Sequence, residues 1–283
     1  MKDIIQQLKN HYKSGDITIK LIFICVGIFL ISTLVDVIFQ KSFFSLSDYF
    51  SAKASFDQFF SQPWGIFTYP FFHGNFLHLL LNMLMLFFVG KLFLRYFRSE
   101  DFLTFFLFGA ISGAVLFMAF SYVLNYGNAL VGASAAIYAI FFALVAYIPK
   151  TKVQLMFINI NIPLDYVGYA ILAFDVLMIL FNAKNTGGHI SHFGGAMFGY
   201  LYMKQFERGN DFLGKFFRNL FRRNKIKTHN QRKTPPRDDY EFNGQKVAKQ
   251  QEIDKILDKI SRSGYESLTK EEKDTLFKAG KNG

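Results

Sequence analysis

Four side chains in this sequence could together perform acyl-transfer chemistry: Ser134, His192, His78 and Asn82. A serine hydroxyl becomes a useful nucleophile only beside a base, and a neutral imidazole is that base near neutral pH. The oxyanion that then develops needs preorganised donors, which Asn82, His78 and the backbone amide of Ser134 can supply. At the start of a helix that amide has no partner within the helix and points toward incoming negative charge. His78 and Asn82 are one helical turn apart and so share a face. Ser134 lies in the run Gly132-Ala133-Ser134-Ala135, with Tyr138 one turn further on, placed to pack on the His192 ring. Gly195 and Gly199 form a small-xxx-small pair that lets the helix bearing His192 approach a neighbour closely. Taken singly, each has an ordinary reading. Ser134 is a packing residue, Asn82 an interhelical hydrogen-bonding group, Tyr138 a core aromatic, and His73 and His189 are structural or solvated groups. The combination carries the chemistry.

The elements that must position these residues are membrane spans. Of 283 residues 51% are hydrophobic, with 37 Phe, and the mean hydropathy is +0.20. Runs without Lys, Arg or Glu recur at lengths near the ~20 residues that cross a bilayer core about 30 Å thick. Six spans are predicted: Ile19–Phe39, Asn75–Tyr96, Phe102–Leu124, Ala133–Ile148, Ile162–Phe181 and Ile190–Gln205. The first lacks the small-residue cleavage site of a secretory signal and is read as a retained span. The net charge of +11 is read as basic cytoplasmic segments rather than a nucleic-acid surface. The single cysteine, Cys25, excludes an intrachain disulfide and a cysteine-based metal cage.

Lysine and arginine set the orientation. Lys2, Lys9, Lys13 and Lys20 lie before or at the start of the first span, and Lys91, Arg95 and Arg98 at or just past the end of the second. Lys150 and Lys152 follow the fourth, and Lys204 at the end of the sixth is followed by Arg208, Lys215, Arg218, Arg222 and Arg223. The alternate loops hold only Lys41 and Lys53, none in Asn125–Gly132, and Lys184. Both termini are therefore expected in the cytoplasm. Counting ~1.5 Å per residue up from the cytoplasmic boundaries puts Ser134 at roughly 22 Å, His192 at 18 Å, Asn82 at 20 Å and His78 at 26 Å. All four share one layer beneath the outer surface, and the fourth span is too short to continue far beyond Ser134. A buried, water-accessible cavity is expected there.

Four segments follow: a cytoplasmic stretch 1–18, a membrane domain 19–205, a basic linker 206–245 that contains Pro235-Pro236, and a short helical tail 246–283. The first outer segment, Gln40–Phe72, is rich in aromatics (Phe43, Phe44, Tyr49, Phe50, Phe56, Phe59, Phe60, Trp64) and reads as interfacial helices or hairpins. In the tail a helical pair is expected near Ile253–Ile260 and Glu271–Phe277, with Gly264 between them and a Thr269/Glu272 capping box. So small a unit has little core of its own. No partner for it is legible.

These residues resemble the rhomboid family of intramembrane serine proteases, of the bacterial type. The pattern His73-x-x-x-x-His78-x-x-x-Asn82 is similar to the family's His and Asn cluster, and Gly132-x-Ser134 with Tyr138 to its nucleophile motif. His192-x-x-Gly195-x-x-x-Gly199 is similar to its catalytic histidine motif. The resemblance spans roughly residues 19 to 205 and implies an all-α, six-helix polytopic membrane fold with a small helical cytoplasmic tail. It also implies a Ser134–His192 dyad with no catalytic acid, an oxyanion site at His78 and Asn82, and no cofactor or metal. Single-span membrane proteins, cut near their outer ends, would be the substrates, and the bacterial inner membrane the location.

Two positions depart from the family pattern. Ala135 follows the nucleophile where the family often has Gly, bearing on the local backbone or pocket. Gly65 follows Trp64 where Arg is common, bearing on loop anchoring. Asp175 in the fifth span is expected to face a watery cavity or the outer interface rather than to orient His192. Three other readings compete. One is a catalytically inactive rhomboid-like binding protein. Another is a metal site of His73, His78, His189 and His192, which lacks a His-Glu-x-x-His stretch and an adjacent acidic ligand. The third is a transporter, which lacks paired broken helices.

Overall fold

The computed structural model describes residues 2–39, 45–124, 129–154, 160–181, 185–220 and 239–281. Phe43 and Phe44, residues 125–128 and 182–184 of two predicted outer loops, and the Pro235-Pro236 part of the linker lie outside the described residues. The chain divides into two compact units, Met1–Arg223 and Asn224–Gly283.

The first unit is mostly helical. Helix α1 (Lys2–Ser14) leads into α2 (Ile17–Ile38), and three short helices α3 (Leu46–Tyr49), α4 (Phe56–Ser61) and α5 (Gly65–Thr68) lie in the aromatic segment that follows. Then come α6 (Phe76–Phe93), α7 (Ser99–Leu124), α8 (Ser134–Tyr147), α9 (Leu164–Leu180), α10 (Thr186–Glu207) and the short α11 (Phe212–Leu220). Among the described residues, three helical stretches, Ile17–Ile38, Phe76–Phe93 and Ser99–Val123, are long and apolar enough to cross a membrane. Helix α8 is apolar but shorter.

Local chemistry starts and stops these helices. Asp16 caps α2 by accepting from Ile19 N at 3.1 Å, and its other oxygen pairs with Lys91 Nζ at 2.7 Å, which ties the start of α2 to the end of α6. Lys204 Nζ donates to Ala146 O at 2.7 Å and so satisfies a carbonyl in the last turn of α8 from α10. Phe93, Phe102, Phe105 and Phe106 are fully buried where the end of α6 meets the start of α7. Outward faces stay apolar, as on α2, where Leu30, Ile31, Leu34 and Val37 are exposed.

Small residues bring α7, α8 and α10 together. A Cβ on Gly195 or Gly199 of α10 would fall on the carbonyls of Ala135 and Ala139, so α8 and α10 run parallel with their backbones touching. From α7, which itself touches α10 here, a Cβ on Gly113 would meet Ala135 Cβ at 2.5 Å, and one on Gly109 would overlap Ala139 Cβ. Helix α8 thus packs against glycines of both α7 and α10, which also touch each other.

Two short ladders depart from the all-helical expectation. Strand β1 (Ala52–Lys53) pairs antiparallel with β2 (Ala129–Leu130), and β3 (Lys152–Gln154) with β4 (Asn161–Pro163). Extended segments that leave helices carry unpaired amides and carbonyls, and neighbouring segments satisfy them. The first ladder links the aromatic segment after α2 to the residues just before Ser134. The second places Val153 opposite Ile162 between α8 and α9.

The second unit contains α12 (Asp239–Ser263) and α13 (Lys270–Lys281), so its first helix starts before residue 246. Gly264 separates them at φ +75°, a conformation that glycine adopts readily. The capping box forms: Thr269 N donates to Glu272 Oε2 at 2.7 Å, and Glu272 N to Thr269 Oγ1 at 3.3 Å. Glu272 also pairs with Lys259 of α12 at 2.8 Å.

Candidate active site

The site is assembled at one end of α6, α8 and α10. Asn75 caps α6 by accepting from His78 N at 2.8 Å, which fixes the first turn that carries His78. One turn on, Asn82 donates one amide hydrogen to His78 O at 2.8 Å and keeps a second to offer. Asn82 is only 6% exposed, and it lines a cavity rather than the lipid-facing surface.

The approach to Ser134 depends on one glycine. Gly132 has φ +116°, donates its N–H to Tyr69 O at 3.0 Å, and lies so near the His78 ring that a Cβ would meet Cε1 and Nε2 at 2.6 Å. A side chain at 132 would be strained by its backbone and would strike the imidazole. Two residues later Ser134 is the first residue of α8, with its amide free of intrahelical bonding.

Helix α10 brings the imidazole. The Gly195 and Gly199 contacts with α8 hold the two helices close enough for Tyr138 to stack on His192 with ring centroids 4.2 Å apart and planes 22° apart. Ser112 Oγ donates to Gly194 O at 2.9 Å and adds a polar link from α7. The result is a cavity of about 230 Å³ whose polar lining includes His78, Asn82, Ser134, Tyr138, Asn185 and His192. Gly132 packs behind His78, while Gly195 and Gly199 act at the helix contact outside the cavity. His73 is buried beside His78, ring centroids 5.3 Å apart, and does not line this cavity.

Asp175 corrects the sequence expectation. It is 1% exposed and faces neither solvent nor an outer interface. Its Oδ1 lies 2.6 Å from His189 Nδ1 and 3.1 Å from His192 Nδ1. The missing acidic neighbour of the histidines is therefore present, supplied by a different helix. Asp175, His189 and His192 offer one ligand atom each within 4.8 Å of one another, so these three could hold a metal ion. The spacing equally fits two N–H donors converging on one carboxylate oxygen. A lone carboxylate in an apolar span was the available signal for Asp175. Asn185 and Gly188, which also line the cavity, carried none.

The two departures have structural explanations. Ala135 is fully buried, faces Gly113 and lies outside the cavity lining, so its methyl group packs helices rather than narrowing the pocket. A Cβ at Gly65 would fall on the Ser51 carbonyl, so no larger residue fits there. The loop is anchored instead by Trp64 Nε1 donating to Tyr49 O at 3.0 Å and Thr68 Oγ1 to Phe50 O at 2.8 Å.

Comparison with known families gives two matches. The Rhomboid domain matches residues 61–206, and a family of unknown function, DUF6576, matches residues 238–281. No curated protein matches the chain.

Proposed function

The chain belongs to the rhomboid family, an integral membrane protein, and we propose that it is an intramembrane serine endopeptidase in which Ser134 attacks and His192 is the base. The observation that carries this reading is the single cavity lined by Ser134, His192, His78 and Asn82, contributed by three helices. Six helices, α2 and α6 to α10, cross the bilayer in this proposal with both termini in the cytoplasm, a reading supported by the basic residues Lys91, Lys150 and Lys204. Substrates are single-span membrane proteins whose helices unwind locally to present a peptide bond near the outer face.

Ser134 Oγ bonds to the peptide carbonyl carbon as its proton passes to His192, and the carbonyl π electrons move onto oxygen. That oxyanion is met by the Ser134 amide, by the spare Asn82 hydrogen and by His78. His192 then protonates the leaving amine, the C–N bond breaks, and water releases the acyl group by the same route. The Tyr138 ring restricts rotation of the imidazole throughout.

The test uses full-length protein in proteoliposomes with a panel of single-span substrates. Wild type is expected to cut and to be labelled at Ser134 by a fluorophosphonate, and Ser134→Ala to do neither. A folded wild type that neither cuts nor labels would instead establish an inactive binding protein.

A further inference from the structure

We infer that Asp175 is a positioning residue for His192, so that the catalytic unit is Ser134, His192 and Asp175 rather than a serine–histidine pair alone. The inference rests on the proposed roles of Ser134 and His192. Its geometry is independent of them, because Asp175 comes from α9, a helix that contributes nothing to the cavity lining.

An imidazole carries one mobile proton when neutral, and the partner of one nitrogen decides where it sits. Asp175 Oδ1, 3.1 Å from Nδ1, accepts that proton's hydrogen bond and leaves the Nε2 lone pair available to the serine. The carboxylate is itself held. His189 Nδ1 lies 2.6 Å from the same oxygen, one turn before His192 on α10. Both imidazoles have side chains only 13% exposed, and Asp175 is 1% exposed, so the contacts lie out of bulk water. A buried carboxylate is tolerated where hydrogen-bond donors compensate it, and here two converge on one oxygen. With Tyr138 stacked on the ring, His192 is fixed in plane by an aromatic face and in rotation by a carboxylate.

When Ser134 gives up its proton, Nε2 gains it and the ring becomes an imidazolium with its Nδ1–H still on Asp175. The carboxylate stabilises that cation without taking the proton, and the proton leaves again with the amine. Charge and protons balance at each step.

Asp175→Asn tests this in the full-length protein, reconstituted as above. In serine proteases this change at an orienting carboxylate lowers kcat by about 10⁴-fold. Here a fall in kcat of about 10²–10⁴-fold is expected, with KM changed less than about threefold and fluorophosphonate labelling of Ser134 slowed in parallel. Asp175→Glu, which restores a carboxylate, should recover part of the loss. An effect on folding alone would lower the melting temperature and the active fraction without this kcat-specific pattern.

A second measurement does not depend on the variants folding: ¹⁵N spectra of histidine-labelled wild type should show His192 protonated at Nδ1. The inference is overturned if folded Asp175→Asn keeps wild-type kcat, or if His192 carries its proton on Nε2. Loss of wild-type cleavage on chelation would also overturn it and reassign Asp175, His189 and His192 to a metal ion. Failure of the serine reading looks different, because cleavage would then survive Ser134→Ala whatever Asp175 does.

Discussion

Helices α8 and α9 are neighbours in sequence and similarly apolar, yet they meet their surroundings in opposite ways. From Ala135 to Ala146 every residue of α8 except Tyr138 is buried. Helix α9 buries only Leu164, Asp165, Gly168 and Asp175, and exposes Tyr166, Tyr169, Phe174, Leu177 and Leu180. In a bilayer an exposed apolar side chain meets lipid rather than water, so apolarity does not distinguish the two. Small residues do. Helix α8 presents Ala135 and Ala139 to glycines of two helices, whereas α9 has one comparable contact, Gly168 beside Phe142 and Val145. Ser134, the proposed nucleophile, therefore rides on a helix located by backbone contact, whereas α9 adds polar ties to its apolar contacts: Asp175 toward one end and the Lys150–Asp165 pair, 2.6 Å, at the other.

The sharpest test of α8 as the catalytic helix is Ser134→Ala, which should remove all cleavage and labelling while leaving the melting temperature within a degree or two of wild type. Turnover that persists in a preparation free of other proteases would sink the assignment. Next comes Asn82→Ala on the facing helix. Loss of one oxyanion donor should lower kcat by about 10²–10³-fold, equivalent to ~2.7–4 kcal/mol, with a smaller change in KM. Equal kcat in the variant would leave the oxyanion to backbone amides.

The helix contact itself is probed by Gly199→Val. The added side chain lands on the Ala139 carbonyl and should destabilise the protein by about 1–3 kcal/mol, read as a lowered melting temperature in detergent. An unchanged melting temperature would mean that α8 and α10 do not approach at this point. Ala135→Gly removes a methyl group from the α7 side of α8. It should destabilise by about 1 kcal/mol, with substrate preference unchanged, since Ala135 is outside the cavity. A shift in preference without a change in stability would put the methyl group in the pocket after all. The smallest effect is expected on the exposed face of α9: Leu177→Ala should change stability by less than about 0.5 kcal/mol. A loss comparable to that of Gly199→Val would show this face packed against protein rather than lipid.

Much of the arrangement was legible before folding. The apolar runs, the basic residues that bound them and the one-turn spacing of His78 and Asn82 follow from composition and helical period, which are local properties. The capping box at Thr269 and Glu272 and the glycine between the two tail helices are local in the same sense. The β3–β4 pairing was missed because three-residue strands make no regular pattern.

What the sequence determined by itself was which residues lie on one face of one helix, and at what depth along it. Helical rise and period are set by the backbone, so depth and facing can be counted from residue numbers alone. Only the tertiary structure decided which faces of different helices meet. Asp175 shares a depth with several groups, and nothing in its neighbours in sequence says that it turns toward α10 rather than lipid or water. That choice depends on the rotation of α9 about its axis, which is set by Gly168 against α8, by Lys150 on Asp165, and by two imidazoles that meet one oxygen of a buried carboxylate.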